Sequence, residues 1–182
     1  MTRDRLEATY ESDLLDEQSR ILYPLELLAE RESETALGHL FQYWRRRCDG
    51  DKPPREHEFS PHEILPPEFM PPVSWLDVTP EDPLNFVFRD HVSTTLISMA
   101  NKPLRAVQNK LHMTALAAEY TRCKSFRRPM YHEIDQIIDG ISRQYVRLLV
   151  PVIDRKSRVG RLFSATRVIF SEQVDSGQSV EA

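Results

Sequence analysis

The sequence predicts an α+β domain built on an antiparallel sheet, and three observations point to it. Two long runs late in the chain, 143–153 and 159–170, are rich in β-branched and aliphatic residues and are separated by five polar residues, Asp154 to Arg158, a normal length for a hairpin. In the first run, period two puts Val146, Leu148, Val150 and Val152 on one face. Nine of the thirteen prolines fall between Lys52 and Pro83, and their fixed φ and missing N–H exclude a long helix there.

The chain has 182 residues, most simply one domain with extensions. Residues 1–32 form an acidic N-terminal extension, expected to be partly helical or mobile, with Ile21, Leu22, Leu25 and Leu28 as its apolar stripe. Leu37, Leu40, Phe41 and Trp44 follow at helical spacing. Ser33 stands as the expected N-cap, Arg45, Arg46 and Arg47 occupy the last turn, and Gly50 lies beyond it. Ser60-Pro61-His62-Glu63 has the pattern of a capping box on a short helical turn. Strands are expected at 73–78 and 84–90. A short helix from Ser93, Thr94 and Thr95 is stopped by Pro103. A longer helix covers about Gln108 to Lys124, with Met113, Leu116, Ala117 and Tyr120 as its stripe. A strand at 130–138 then turns through Asp139-Gly140 into the late hairpin. Residues 33–171 are the expected domain and 172–182 a disordered tail.

Several segments resemble a bacterial subfamily of standalone PAS domains. They are Phe41-Gln42-Tyr43-Trp44-Arg45, the proline-rich bridge, Trp75-Leu76-Asp77-Val78, Phe86-Val87-Phe88-Arg89 and Tyr145-Val146-Arg147-Leu148-Leu149-Val150-Pro151-Val152. The resemblance covers about Leu37 to Phe170. It implies a PAS fold: five antiparallel strands in the order 2-1-5-4-3, with helices on one face enclosing a small cavity, here carrying an N-terminal helical extension. The chain departs from that pattern at His91-Val92-Ser93 and at Lys102-Pro103-Leu104-Arg105, where similar sequences carry glycine. The cavity residues implied are Phe86, Phe88, Leu96, Leu104, Leu111, Ala115, Leu148 and Val150. Such an apolar set is more often plain core than a pocket, and a pocket lined by it would suit a small apolar or weakly polar ligand.

Enzyme signatures are absent. Five glycines leave no Gly-rich phosphate loop and no GxSxG. His57 and His62 are five apart around Pro61, the wrong spacing for one helical metal-binding face. His112 reads as a boundary residue of the long helix rather than a haem ligand. No metal or catalytic residue is expected, and no cofactor is named. Cys48 and Cys123 read as reduced thiols of a cytoplasmic protein. No apolar run approaches the roughly 20 residues of a membrane span. The net charge of −4 argues against a nucleic-acid partner, although acids gather in 1–34 and Arg143, Arg147, Arg155, Lys156, Arg158, Arg161 and Arg167 gather on the hairpin. That asymmetry reads first as two solvated faces; the sharper reading is that the acidic segment docks on the hairpin or that the hairpin meets an acidic partner. Tyr145, Leu149 and Pro151 lie opposite the Val146 row on a face that a PAS sheet leaves open, and Ile21, Leu25 and Leu28 could cover it from the same chain or from a second copy. The function expected is a non-catalytic signalling module working through protein contacts as a homodimer with a regulatory partner. The alternative is a small-molecule binder or unusual enzyme using the cavity.

Overall fold

In the computed structural model, which describes residues 6–11, 17–60, 73–90, 99–138 and 140–173, the sheet begins earlier in the chain than the sequence suggests. The elements are β1 (Leu6–Glu11), β2 (Glu17–Tyr23), α1 (Leu25–Arg31), α2 (Ala36–Arg47), β3 (Val73–Asp77), β4 (Val87–Asp90), α3 (Lys110–Phe126), β5 (Met130–Ile138), β6 (Ile141–Ile153) and β7 (Val159–Gln173). They build one antiparallel sheet of seven strands in the order β1-β2-β5-β6-β7-β3-β4. This overturns the expected five-stranded PAS sheet. Residues 6–23 add two strands beyond β5, and helices pack on both faces instead of one.

The N-terminal extension is therefore part of the sheet. Gln18 pairs with Gln136, Arg20 with Ile134 and Leu22 with His132. The apolar spacing from Ile21 to Leu28 is not one helix. Ile21 and Leu22 end β2, Pro24 turns the chain, and Leu25 and Leu28 lie on the short helix α1. At the other end, Glu172 and Gln173 continue β7. The expected capping box at 60–63 and the helix from Ser93 to Leu96 lie largely or wholly outside the described residues.

The late hairpin is the centre of the sheet. Asp154 fixes its turn, accepting on Oδ1 from the backbone N–H groups of Lys156 (2.8 Å) and Arg158 (2.9 Å) and on Oδ2 from the Arg158 side chain. These bonds, that of the Arg158 backbone foremost, hold the Asp154 carboxyl below its usual range. Gly140 takes φ +72° at the β5–β6 turn, a value that glycine adopts without Cβ strain.

One face of β6 presents Val146, Leu148, Val150 and Val152 to α1 and α2, where Leu28, Leu37, Leu40, Phe41 and Trp44 are buried. The Trp44 indole N–H donates to the Pro151 carbonyl at 2.7 Å. Phe59 stacks on Tyr43 at 4.8 Å and meets Phe163 edge-on at 5.0 Å, which pins the chain at Phe59 over the same face. Thr35, not Ser33, is the N-cap of α2, and its hydroxyl bonds to the backbone and side chain of Glu32. The opposite face packs on α3, which Asn109 caps by accepting from the His112 N–H at 2.9 Å. Leu76, Phe86, Phe88, Leu104, Leu116, Tyr120 and Leu149 form the second core there.

Candidate functional site

The α3 face changes character towards β2. Alternation in β2 turns Gln18 and Arg20 inward, β5 contributes His132 and Gln136, β6 contributes Tyr145 and Arg147, and α3 lays Glu119 and His112 over them. The register brings the layer together, because Leu22, His132 and Arg147 are cross-strand neighbours in one row and Arg20, Ile134 and Tyr145 in the next. Five polar side chains there are almost closed to solvent: Gln18 is 2% exposed, Arg20 4%, Glu119 7%, His132 4% and Arg147 5%.

Glu119 bridges the two guanidinium groups. Its Oε1 accepts from Arg20 Nη1, and its Oε2 faces Arg147 Nη2 in an ion pair. Arg20 Nη2 donates to Gln18 Oε1 at 2.7 Å, and His112 Nδ1 lies 3.5 Å from the same oxygen. His132 Nε2 is 3.9 Å from Glu119 Oε1. The Arg147 guanidinium sits over the Tyr120 ring, 5.6 Å from its centre, and the Tyr145 hydroxyl donates to Gln136 Oε1 at 3.3 Å.

Burial, aided by Arg20, pushes both histidines down to about 3, so both are neutral at neutral pH. Arg147 is itself pushed well down by burial and by the neighbouring Arg20. Among the described residues the layer brings two arginines onto one carboxylate. Histidines so far down are poor proton acceptors at neutral pH, and both Glu119 oxygens are engaged. The arrangement is poorly suited to acid–base turnover.

A second feature lies at the other end of the sheet. The ends of α2 and α3 and the β6–β7 turn enclose a surface hollow of about 420 Å³. Arg47, Lys52, Arg55, Arg127 and Arg128 line it against Asp49, Asp51 and Glu58, with Phe126, 61% exposed, on its wall. Lys52 is paired with Asp49 at 3.8 Å. Ser157 also lines the hollow, which brings the turn residues Arg155, Lys156 and Arg158, all exposed, to this end of the molecule.

The structure separates the cavity residues expected from the sequence. Phe86, Phe88 and Leu104 are buried in the α3 core, whereas Leu148 and Val150 are buried on the opposite face under α1 and α2. Ala115 is buried and Leu111 half-buried on α3, while Leu96 lies outside the described residues. The eight therefore do not share one enclosure. Of the expected interface set, Leu28, Tyr145, Leu149 and Pro151 are buried within the chain, and Ile21 and Leu25 are half-buried. The expected cover does not form: α1 lies over the Val146 row instead, and α3 covers Leu149 on the other face. Among the described residues, an ion pair joins the acidic segment to the hairpin, where buried Glu32 accepts from Arg167 Nε at 3.0 Å and pairs with its Nη2.

Sequence reasoning overlooked the ionic layer. Arg147 interrupts the apolar alternation of Tyr145, Leu149 and Pro151, and Glu119 falls beside Tyr120 within the Leu116 stripe. A charged residue inside an apolar pattern at both places was the available signal. Arg20 had none, since its surroundings in sequence are polar.

Among the described residues, no group of three or more histidine, cysteine or acidic side chains is placed to hold a metal, and no helix is long and apolar enough to cross a membrane. Comparison of the chain with protein-family models, with curated proteins and with solved structures returned no match, and so nothing in them identifies a PAS domain.

Proposed function

We propose that the protein is a non-catalytic binding module and that its basic end receives an acidic segment of a partner protein. The observation that carries this reading is the hollow between α2, α3 and the β6–β7 turn. Five cationic side chains face three acidic ones there, and the exposed Phe126 ring supplies an apolar anchor beside them. Aromatic and arginine side chains in one concave patch are what interface anchors are made of. A cationic rim would also speed the encounter with an acidic partner. The regulatory partner and the cytoplasmic location expected from the sequence belong to this proposal. Two thiols with no disulfide, Cys48 and Cys123, suit a reducing compartment.

The test is fluorescence anisotropy with a labelled glutamate-rich peptide, with a single-stranded oligonucleotide and a lysine-rich peptide as controls. The proposal expects saturable binding of the acidic peptide that weakens as salt rises, since exposed charges are screened within about 10 Å at 0.1 M salt. Arg55→Glu with Arg128→Glu should weaken it by about tenfold, because each exposed pair is worth up to about 1 kcal/mol. Equal binding by the double variant overturns the proposal, as does tighter binding of the oligonucleotide. Sedimentation of the free protein reports separately whether copies pair.

A further inference from the structure

We propose that β1 is the seam of a homodimer: its outer edge pairs antiparallel with β1 of a second copy, centred on Ala8, so that one sheet runs through both copies.

The first ground is a contrast between the two edges of the sheet. The order β1-β2-β5-β6-β7-β3-β4 leaves β1 and β4 outermost. A bare strand edge is a row of unpaired N–H and C=O groups, and it recruits another strand unless it is short, bulged, covered or guarded by lysine or proline. β4 is short, four residues long, and it is covered. Phe88 donates its N–H to the Lys102 carbonyl at 3.1 Å and accepts from the Asn101 N–H, the Leu104 N–H donates to the Phe86 carbonyl at 2.7 Å, and Val87 bridges Pro103. β1 has none of these protections. It contains no lysine, proline or glycine, and it pairs with β2 residue for residue, from Leu6 opposite Leu22 to Glu11 opposite Glu17, without a bulge. Among the described residues, no backbone hydrogen bond or bridge reaches its outer edge.

The second ground is that β1 is complementary to itself, which makes a second copy the occupant. A two-fold axis through such a seam stands perpendicular to the sheet and keeps every residue on its own face. Opposed residues of antiparallel strands share a face, and faces alternate along a strand, so even positions meet even and odd meet odd. Two registers then leave only one residue of β1 unpaired: 6–10 centred on Ala8, or 7–11 centred on Thr9. The register centred on Thr9 sets Glu7 opposite Glu11 twice, and like charges directly opposed weaken a sheet. The register centred on Ala8 sets Leu6 opposite Tyr10, an apolar pair, and Glu7 opposite Thr9, each twice, and opposes no like charges. Ala8 pairs with Arg20 and Tyr10 with Gln18, whose side chains turn towards α3, so Leu6, Ala8 and Tyr10 fall on the α3 face. The axis therefore sets α3 of both copies on one face of the joined sheet.

The seam is separate from the basic hollow, whose lining includes no residue of β1, and it does not rest on the function proposed for that hollow.

The experiment is sedimentation equilibrium of the full chain across a dilution series, for the parent, Thr9→Glu and Thr9→Lys. Within the chain Thr9 lies opposite Ser19, so neither change meets a charge directly across β2. The parent should show a reversible monomer–dimer equilibrium. Thr9→Glu sets a carboxylate opposite Glu7 of the second copy at two symmetric places and should raise the dissociation constant roughly tenfold. Thr9→Lys sets an ammonium group there and should lower it by a similar factor, roughly tenfold. Opposite shifts read the register directly, since a change that merely loosened β1 would weaken association whichever charge it carried. A parent chain that stays monomeric at every concentration overturns the proposal. So does a dimer whose dissociation constant moves the same way in both variants, or in neither.

Discussion

The two faces of the sheet are covered in different ways. Under α1 and α2 the contact is almost wholly apolar and aromatic, from Leu28 and Leu37 through Trp44 to the Val146 row, with the Glu32–Arg167 pair at its margin. Under α3 half the contact is apolar, and the half nearest β2 is an ionic layer around Glu119. Apolar packing tolerates many partners of similar volume, whereas an ionic contact demands a definite register. The contrast implies that the first face supplies stability. The second, at a cost in desolvation, fixes where β2 sits against β5 and how α3 lies across them.

The largest expected effect comes from breaking the layer on one side only. Glu119→Gln keeps the shape but withdraws the carboxylate that Arg20 and Arg147 share in a buried setting, and should cost about 3–5 kcal/mol. Replacing Glu119, Arg20 and Arg147 together by apolar residues of similar volume removes the charges as well as the pairing. By the same principle, that variant should recover most of the loss. Urea unfolding of the single and triple variants decides the matter. If the triple variant is no more stable than Glu119→Gln, the layer contributes to stability as a whole, and the contrast between the faces disappears.

The next effect probes the apolar face where α2 passes close to the backbone that follows α1. A Cβ on Gly38 would lie 2.0 Å from the Glu32 carbonyl oxygen and 2.8 Å from its carbonyl carbon, so a methyl group there forces backbone to move. Gly38→Ala should destabilise by at least about 1–3 kcal/mol, against the usual gain from replacing glycine by alanine within a helix. It should also loosen the buried Glu32 contacts with Thr35, Tyr131 and Arg167, readable as lost amide protection at the start of α2. Unchanged stability would mean that α1 and α2 are not held as tightly as this contact implies.

The same contrast explains what the sequence disclosed. The late hairpin and α2 were legible because their inward residues are apolar and repeat with the period of the element, as Val146, Leu148, Val150 and Val152 do on β6 and Leu37, Leu40, Phe41 and Trp44 on α2. β2 was illegible for the opposite reason. Its inward residues include Gln18 and Arg20, which read as surface until Glu119, a hundred residues away in the chain, is known to face them. The helix expected across Ile21 to Leu28 arose because the last residues of a strand and the first of a helix run together around Pro24 at a helix-like spacing. Once β2 joined the sheet, the five-stranded PAS architecture gave way, and the Tyr145 face thought open to a partner proved to be the seat of α3. The site shared this fate, since periodicity finds apolar faces and is blind to a face made of paired charges.

The smallest effect separates the faces by pH. His132 and His112 are held neutral in the folded protein at about 3, below the ordinary histidine value of about 6.5. A group with a depressed folded value contributes stability that is fully present above its unfolded value. On the α3 face that contribution is lost as pH falls from about 6.5 towards 3, because the unfolded chain takes up the protons first. At about pH 5.5 the loss should be roughly 1 kcal/mol for buried His132 alone. On the other face the titrating group is Glu32. Burial works to raise its value, but the bonds from Arg167, Thr35 and Tyr131 outweigh it and leave it lowered. Its contribution stays intact until pH falls into the carboxylate range. Urea midpoints measured between neutrality and about pH 5 should therefore fall in the parent protein and fall by about half as much in His132→Gln, where His112 still takes up a proton on unfolding. If both proteins fall in parallel, the acid sensitivity lies outside the buried layer, and the electrostatic distinction between the two faces fails at the point where it is most directly measured.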